Sequence, residues 1–128
     1  MIAFDVLHAD DSDGDAELTR RAFAKSDGTI RVHRVVNGSR AIDALRDVVP
    51  RLVLLDVNMP VMGGVETVRA LRADPRLTAV PIVMLTASEA EREEAMRAGA
   101  TDYLIKPVSF GALIALVEKL ARLARGSE

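Results

Sequence analysis

Residues 52–60 read LVLLDVNMP: four apolar residues in a row, one acid, and a short loop that ends in proline. Consecutive apolar residues without alternation are typical of a strand that is covered on both faces, as in a parallel sheet. Residues 82–86, IVMLT, have the same character. The two stretches predict the centre of an α/β domain, in which helices cover both sides of a sheet.

Shorter apolar runs and stretches with helical spacing alternate around this centre. We predict five strands, at residues 4–9, 30–36, 52–56, 80–86 and 102–105. We predict five helices, at residues 15–25, 39–48, 64–73, 89–98 and 109–125. Five strand–helix pairs imply a doubly wound parallel sheet, for which we expect the flavodoxin-like strand order 2-1-3-4-5.

Length and composition limit the class of protein. The 128 residues fit one domain, predicted at residues 1–125, with a tail at 126–128 and no output domain. A net charge of −2 without a basic patch, and only 3% aromatic residues, argue against a nucleic-acid partner. No apolar run approaches the ~20 residues of a membrane span. The chain has no cysteine, so we expect a cytoplasmic protein without disulfides or thiolate sites.

Polar residues stand where the predicted strands end. In open parallel sheets, binding sites lie beyond the carboxyl ends of the strands, at the switch in strand order. The residues at those ends are Asp10, Asp11, Asp56, Thr86 and Lys106. Because strands one and three are neighbours in the predicted order, we expect the three acids to share one pocket.

Three carboxylates in one pocket require cations, since two unit charges ~5 Å apart repel by about 3 kcal/mol at an effective dielectric of ~20. Lys106 supplies one cation. An oxygen-only ligand set favours Mg²⁺, with the backbone carbonyl of Asn58 as a further ligand. Beside two cations, a carboxylate such as Asp56 is a poor base but a reasonable nucleophile toward phosphorus. Thr86 could then donate its hydroxyl to the phosphoryl group, and the small Ala87 would leave access open.

Each of these residues also has an ordinary structural interpretation. Asp10 and Asp11 could belong to an acidic turn that caps a helix, and Asp56 could be a plain loop residue. Thr86 fits a β-branched strand residue, and Lys106 fits a solvated loop charge. The combination favours the functional interpretation, because four separate elements place chemically matched groups at the same edge of the sheet.

The predicted last helix carries a wide apolar face. Its main stripe has three- and four-residue spacing and is the predicted core face: Phe110, Leu113, Ile114, Val117, Leu120, Ala121 and Ala124. A second set, Ala112, Leu116 and Leu123, lies beside that stripe. This second set is either the margin of a broad core face or a surface for a partner or a second copy.

These motifs resemble the receiver (CheY-like) domain of response regulators, over about residues 2–124. The stretches that carry the resemblance are residues 10–11, 54–60 with Met62 and Gly64, 81–87, 98–100 and 103–107. The resemblance implies that Asp56 accepts a phosphoryl group from a histidine kinase. It also implies that Asp10, Asp11, Asp56 and the Asn58 carbonyl hold Mg²⁺.

Further roles follow from the same resemblance. Lys106 would bridge to the phosphoryl group, Thr86 would move toward it, and Tyr103 would turn inward to fill the space left. The bond between Lys106 and Pro107 would be cis. The chain would be a bacterial phosphoprotein without enzyme activity beyond Mg²⁺-dependent self-phosphorylation and autodephosphorylation.

A second likeness concerns residues 15–23 and 106–110, which are similar to single-domain regulators that serve phytochrome-type histidine kinases. It implies a sensor histidine kinase such as a bacteriophytochrome as partner, an unknown downstream protein, and a homodimer through the last helix. The composition, rather than this likeness, leads us to expect no contact with nucleic acid or membrane.

The chain departs from the usual receiver pattern at Gly63, His8 and Ser88. Gly63 stands where an acid usually caps the helix, a change that costs only a few tenths of a kcal/mol. His8 replaces an aliphatic strand residue and is either a satisfied core histidine or a ligand. Ser88 and Asn58 occupy positions that influence how fast the phosphoryl group is lost, so the sequence leaves its lifetime open.

Two other classes of protein fit the sequence less well. A small Mg²⁺-dependent phosphatase normally has a second acid two residues after its nucleophile, where this chain has Asn58. A flavodoxin-like FMN carrier needs a loop rich in glycine and hydroxyl groups after the first strand, where Asp10 and Asp11 would repel a phosphate.

Overall fold

The computed structural model describes residues 3–126, which form a five-stranded parallel sheet with helices on both faces. The strands are β1 (Val6–Ala9), β2 (Val32–Val35), β3 (Leu52–Leu55), β4 (Ile82–Thr86) and β5 (Asp102–Ile105). The helices are α1 (Asp13–Ser26), α2 (Gly38–Ala44), α3 (Gly64–Arg72), α4 (Arg92–Ala98) and α5 (Phe110–Arg125), with a 3₁₀ turn at Pro75–Leu77. The order β2-β1-β3-β4-β5 confirms the predicted fold.

The three central strands are buried along their whole length, as their continuous apolar sequences predict. The strand pleat divides their side chains between two cores. Leu7 and Ala9 of β1 belong to the core beneath α2, α3 and α4, whereas Val6 belongs to the core beneath α1 and α5. The edge strands β2 and β5 are only partly buried. Within the described residues, no helix has the length and apolar character to cross a membrane.

Side-chain caps explain where three of the helices begin. Ser12, Asn37 and Ser109 precede α1, α2 and α5, and each accepts a hydrogen bond from a backbone N–H in the first turn. Two predicted boundaries differ by three or more residues. α2 ends at Ala44 rather than at residue 48, and α4 begins at Arg92 rather than at residue 89. The tail predicted at 126–128 lies outside the described residues except for Gly126, which caps α5.

The loop between β3 and α3 contains a strained residue. Val61 has a φ of 69°, and it is the one non-glycine residue with positive φ among residues 3–126. The Met62 N–H donates to the Pro60 carbonyl at 2.7 Å, which closes a three-residue turn around Val61. A β-branched residue is disfavoured in this conformation, and such strain costs of the order of 1–3 kcal/mol. The side chain of Val61 is 84% exposed, so little packing offsets the strain.

We therefore expect Val61→Gly to raise the free energy of unfolding by about 1 kcal/mol, because glycine accepts the positive φ. Urea titration measures the change. Val49 is also exposed and lies in a loop, but its φ is not positive. As the control, Val49→Gly should lower the unfolding free energy, since glycine there only adds freedom to the unfolded chain. Equal losses in both variants would contradict the strain at Val61.

Candidate functional site

The carboxyl edge of the sheet brings three acids and one lysine together. The Lys106 Nζ lies 2.9 Å from a carboxylate oxygen of each of Asp10, Asp56 and Asp15. Backbone hydrogen bonds continue the sheet past the strand ends and fix these positions. The Asp56 N–H donates to the Ala9 carbonyl at 3.0 Å, and the Lys106 N–H donates to the Thr86 carbonyl at 2.8 Å. The predicted meeting of β1, β3 and β5 residues is therefore present.

Asp10, Asp11 and Asp56 form a cluster with the chemistry of a hard-cation site. Each offers a carboxylate oxygen, and these oxygens all lie within 4.8 Å of one another. Asp10 and Asp56 are buried, whereas Asp11 is exposed at the mouth of the site. Oxygen ligands alone suit Mg²⁺ better than a transition metal. Asn58 lies exposed in the loop two residues after Asp56, and its carbonyl remains a predicted ligand.

Burial and the ion pairs shift the pKa values of this site in opposite directions. Burial alone would lower the pKa of Lys106, but hydrogen bonds to Asp15, Asp10 and Asp56 outweigh it and raise that pKa above its ordinary value. Burial raises the pKa of the Asp10 carboxyl, although the Lys106 ammonium and the Ser12 N–H lower it. The lysine is therefore firmly charged, and Asp10 is held in a position where a second cation would be favourable.

A glycine allows the β3–α3 loop to fold tightly against Asp56. A Cβ atom on Gly64 would lie 2.2 Å from the carbonyl oxygen of Asp56 and 2.7 Å from the methyl group of Met84. Any side chain at position 64 would therefore displace the backbone of Asp56. Gly63 is the N-cap of α3 and makes no side-chain cap hydrogen bond, as expected for its departure from the receiver pattern.

Thr86 and Ala87 lie at the end of β4, the next strand along from β3. Thr86 is buried and Ala87 is exposed, so the site is open on the side of Ala87. The bond between Lys106 and Pro107 is trans, as are all peptide bonds among residues 3–126. The expected cis bond is therefore wrong for this structure, and the trans isomer is the one favoured intrinsically, by about 0.5–1 kcal/mol.

Tyr103 already lies inward in the structure, with 1% of its surface exposed. Its hydroxyl donates to the Ser88 carbonyl in the β4–α4 loop. The guanidinium of Arg92 lies 4.8 Å from the centre of the tyrosine ring and donates to the Tyr103 carbonyl at 3.0 Å. Arg92 and the Ser88 carbonyl thus hold Tyr103 in the inward position.

Several residues of the site were not predicted from the sequence. Asp15 joins Lys106 from the first turn of α1. Arg34 of β2 donates to the Asp10 carbonyl at 2.9 Å and to the Asp13 carboxylate at 2.8 Å, so it ties the edge strand to the acidic turn. Only Asp15 had a signal: it is an acid in the first turn of α1, close in sequence to Asp10 and Asp11.

His8 lies behind Asp10 in β1 and is 1% exposed. Its Nε2 is 3.9 Å from an Asp10 carboxylate oxygen, too far for a hydrogen bond, and has no hydrogen-bond partner among the described residues. Burial, with Lys106 and Arg34 nearby, lowers the pKa of His8 to about 4. The imidazole is therefore neutral near pH 7 and stands outside the carboxylate cluster. The ligand role is not supported, since the cluster contains carboxylates alone.

Of the second apolar set on the last helix, Leu116 and Leu123 lie in one groove and Ala112 does not. Leu116 and Leu123 of α5, together with Leu104 of β5, line an open groove of about 460 Å³. Asp102, Lys119 and Arg122 also line it, so the groove has an apolar floor and charged sides. Ala112 is exposed and lies outside this groove.

Comparison with known sequences identifies relatives. A family model described as the response regulator receiver domain matches residues 6–118. The probable methanogenesis regulatory protein FilR2 of Methanothrix harundinacea is 34% identical over 125 residues, which cover 91% of this chain and 81% of FilR2. Regulatory protein AtoC of Escherichia coli is 33% identical over 92% of this chain, which spans 25% of AtoC. The chain spans less than half the length of several such curated relatives.

Comparison with solved structures confirms the CheY-like fold. The phosphorylated cyanobacterial phytochrome response regulator RcpA has a TM-score of 0.85 and 25% identity, with coverage of 97% of this chain and 95% of RcpA. The receiver domain of sensor histidine kinase PA1611 from Pseudomonas aeruginosa PAO1 was solved with a magnesium ion in its active site cleft. It has a TM-score of 0.83 and 26% identity, with coverage of 98% of this chain and 100% of that domain.

The contacts of Arg92 predict how firmly Tyr103 is held. Tyr103 is the only tyrosine and the chain has no tryptophan, so tyrosine emission reports this one ring. Arg92→Gln removes the cation beside the ring, a contact worth about 0.5–1 kcal/mol at an exposed position. We expect acrylamide to quench Tyr103 about twofold or more efficiently in this variant.

Arg97→Gln provides the matched control. Arg97 is also on α4, and its ion pair is with Glu93 rather than with anything near the tyrosine. Its quenching should equal that of the parent protein. Identical quenching in all three proteins would show that Arg92 does not hold Tyr103.

Proposed function

This chain belongs to the response regulator receiver domain family, and on that premise we propose that Asp56 accepts a phosphoryl group from the phosphohistidine of a sensor histidine kinase. The observation that supports this most directly is the position of the Asp56 carboxylate. It lies at the end of β3 between the Lys106 ammonium and two further carboxylates. A nucleophile for phosphorus needs that arrangement, because positive charge must meet the phosphoryl oxygens as they approach.

In the transfer, a carboxylate oxygen of Asp56 forms the new bond to phosphorus. The bond between phosphorus and the kinase imidazole nitrogen breaks, and its electron pair returns to the histidine. Lys106 is placed to neutralise a phosphoryl oxygen, since its ammonium already contacts Asp56. The Thr86 hydroxyl, at the end of the adjacent strand, is a candidate donor to a second oxygen. Mg²⁺ held by Asp10, Asp11, Asp56 and the Asn58 carbonyl would supply further positive charge.

The product carries about −1.5 to −2 charges where a single carboxylate stood. We propose that this change alters the contacts of Thr86 and of the Tyr103–Ser88–Arg92 group, and that a downstream protein reads the resulting surface. Full inversion of a 1:99 equilibrium would need about 5.5 kcal/mol, which is the scale of the shift that phosphorylation would have to produce.

The likeness to RcpA supports a finer proposal about the partner. RcpA is a phytochrome response regulator, and this chain covers 95% of it. We propose that this chain serves a phytochrome-type kinase as a cytoplasmic single-domain regulator, and that it has no activity on a separate substrate.

Mass spectrometry tests the phosphorylation site. Incubation with Mg²⁺ and acetyl phosphate should add the mass of one phosphoryl group to the parent protein. Asp56→Asn should add none, because the nucleophile is gone. Asp43→Asn, on the exposed surface of α2, is the control and should gain the group as the parent does. A phosphoryl mass on Asp56→Asn would place the reaction on another residue.

The groove between β5 and α5 supports a homodimer through the last helix. A symmetric pair of such faces would bury Leu116 and Leu123 of both copies. It would also bring Asp102 of one copy toward Arg122 of the other, since the groove carries both charges. The surface is therefore complementary to itself in both apolar character and charge.

Light scattering tests this dimer. We expect the parent protein to have the mass of a dimer and Leu116→Glu to have the mass of a monomer, because a carboxylate in the apolar floor would have to lose its water when two such faces meet. Leu18→Glu alters an exposed leucine on α1 and should remain a dimer. A dimeric Leu116→Glu protein would exclude this face as the interface.

A further inference from the structure

Lys106 is bound by one carboxylate that takes no part in the proposed metal site. An ammonium has three N–H donors, and those of Lys106 are used by Asp10, Asp56 and Asp15, each at 2.9 Å. Asp10 and Asp56 belong to the cluster of three close carboxylates, whereas Asp15 does not. Asp15 reaches the lysine from α1, and its side chain is 45% exposed.

The other two acids have no oxygen without a hydrogen bond. In Asp10, Oδ1 accepts from the Ser12 N–H at 2.9 Å and Oδ2 accepts from Lys106. In Asp56, Oδ1 accepts from the Val57 N–H at 2.7 Å and Oδ2 accepts from Lys106. Lys106 therefore competes with any cation for the same two carboxylates. The two positive charges would also repel each other if both contacted these carboxylates.

Asp15 gives Lys106 a hydrogen-bond acceptor that is not one of the proposed ligands of the cation. Its carboxylate has no other hydrogen-bond or ion-pair partner among residues 3–126. A lysine that loosens from Asp10 and Asp56 can keep the Asp15 contact at the half-exposed edge of the site. The ammonium then stays within reach of Asp56 and is not lost to solvent. Without Asp15, Lys106 would depend wholly on the two carboxylates that a cation also needs.

We propose that Asp15 is a positioning residue for Lys106, which keeps the ammonium at the edge of the site while Asp10 and Asp56 bind Mg²⁺, and which thereby sets the Mg²⁺ affinity. The inference rests on the metal site of the proposed function. It adds a residue outside the ligand set whose effect passes through the lysine alone. Residues that hydrogen-bond to metal ligands commonly change metal affinity by 10–100-fold, and Asp15 would act on two of the proposed ligands through Lys106.

Isothermal titration of the full chain with MgCl₂ tests this role without any phosphoryl donor. Asp15→Asn should weaken Mg²⁺ binding about tenfold, at the lower end of that range because Asp15 is half exposed. Glu17→Gln is the matched control. It lies on the same helix, its side chain is 44% exposed, and its partners are Arg20 and Arg21. It removes the same charge and should change the affinity by less than about twofold.

A double-mutant cycle separates positioning from simple charge. In a Lys106→Met background, Asp15→Asn should no longer change the Mg²⁺ affinity, because the residue through which Asp15 acts is absent. Thermal unfolding of each variant by circular dichroism confirms that the protein titrated is folded.

The outcomes are distinct. Unchanged or tighter Mg²⁺ binding by Asp15→Asn would overturn the role of Asp15, as would an equal loss in Glu17→Gln or a loss that persists without Lys106. A parent protein that binds no Mg²⁺ would instead overturn the metal site of the proposed function, and the role of Asp15 with it.

Discussion

Mutual repulsion among acids at one edge of the sheet is the constraint on which the rest of the structure depends. Asp10, Asp11 and Asp56 lie within 4.8 Å of one another, and Asp15 stands beside them. Only Lys106 offsets them directly within the described residues. Its three contacts join α1, β1, β3 and β5, so the lysine links elements from both halves of the chain. The tight loop that Gly64 permits and the hydrogen bonds beyond the strand ends serve to hold this arrangement.

The same arrangement connects the site to the surface of the domain. Lys106 continues directly from β5, the strand that carries Tyr103, and the Lys106 N–H is bonded to the carbonyl of Thr86. Tyr103 in turn is held by Ser88 and Arg92, which belong to the β4–α4 loop and to α4. Asp56 is therefore connected to α4 through its contact with Lys106, along β5 to Tyr103, and through the contact of Tyr103 with Arg92. The groove between β5 and α5 lies on the opposite face of the same edge strand, where Leu104 forms part of its floor.

The sequence predicted the fold well because its strongest signals are local. The apolar runs at 52–55 and 82–86 occupy the centre of the sheet, as their continuity requires. The proximity of Asp10, Asp11, Asp56 and Lys106 followed from strand order alone, and the structure confirms it. Asp15, Arg34 and Arg92 were missed because each acts through a long reach between elements, and side-chain reach depends on helix rotation and strand register. The inward Tyr103 was predicted only as a consequence of phosphorylation, since no pattern reveals the hydrogen bond to Ser88.

The place of Lys106 along the chain has a consequence for how the protein is made. The lysine is separated from Asp10, Asp15 and Asp56 by 96, 91 and 50 residues. These three acids therefore leave the ribosome long before the lysine that offsets them. An incomplete chain that lacks β5 has the acids of the site without their internal counter-ion, and α1 lacks the partner helix α5 that covers its core. Completion of the last strand and helix therefore supplies both the cation that offsets these acids and the helix that packs beside α1.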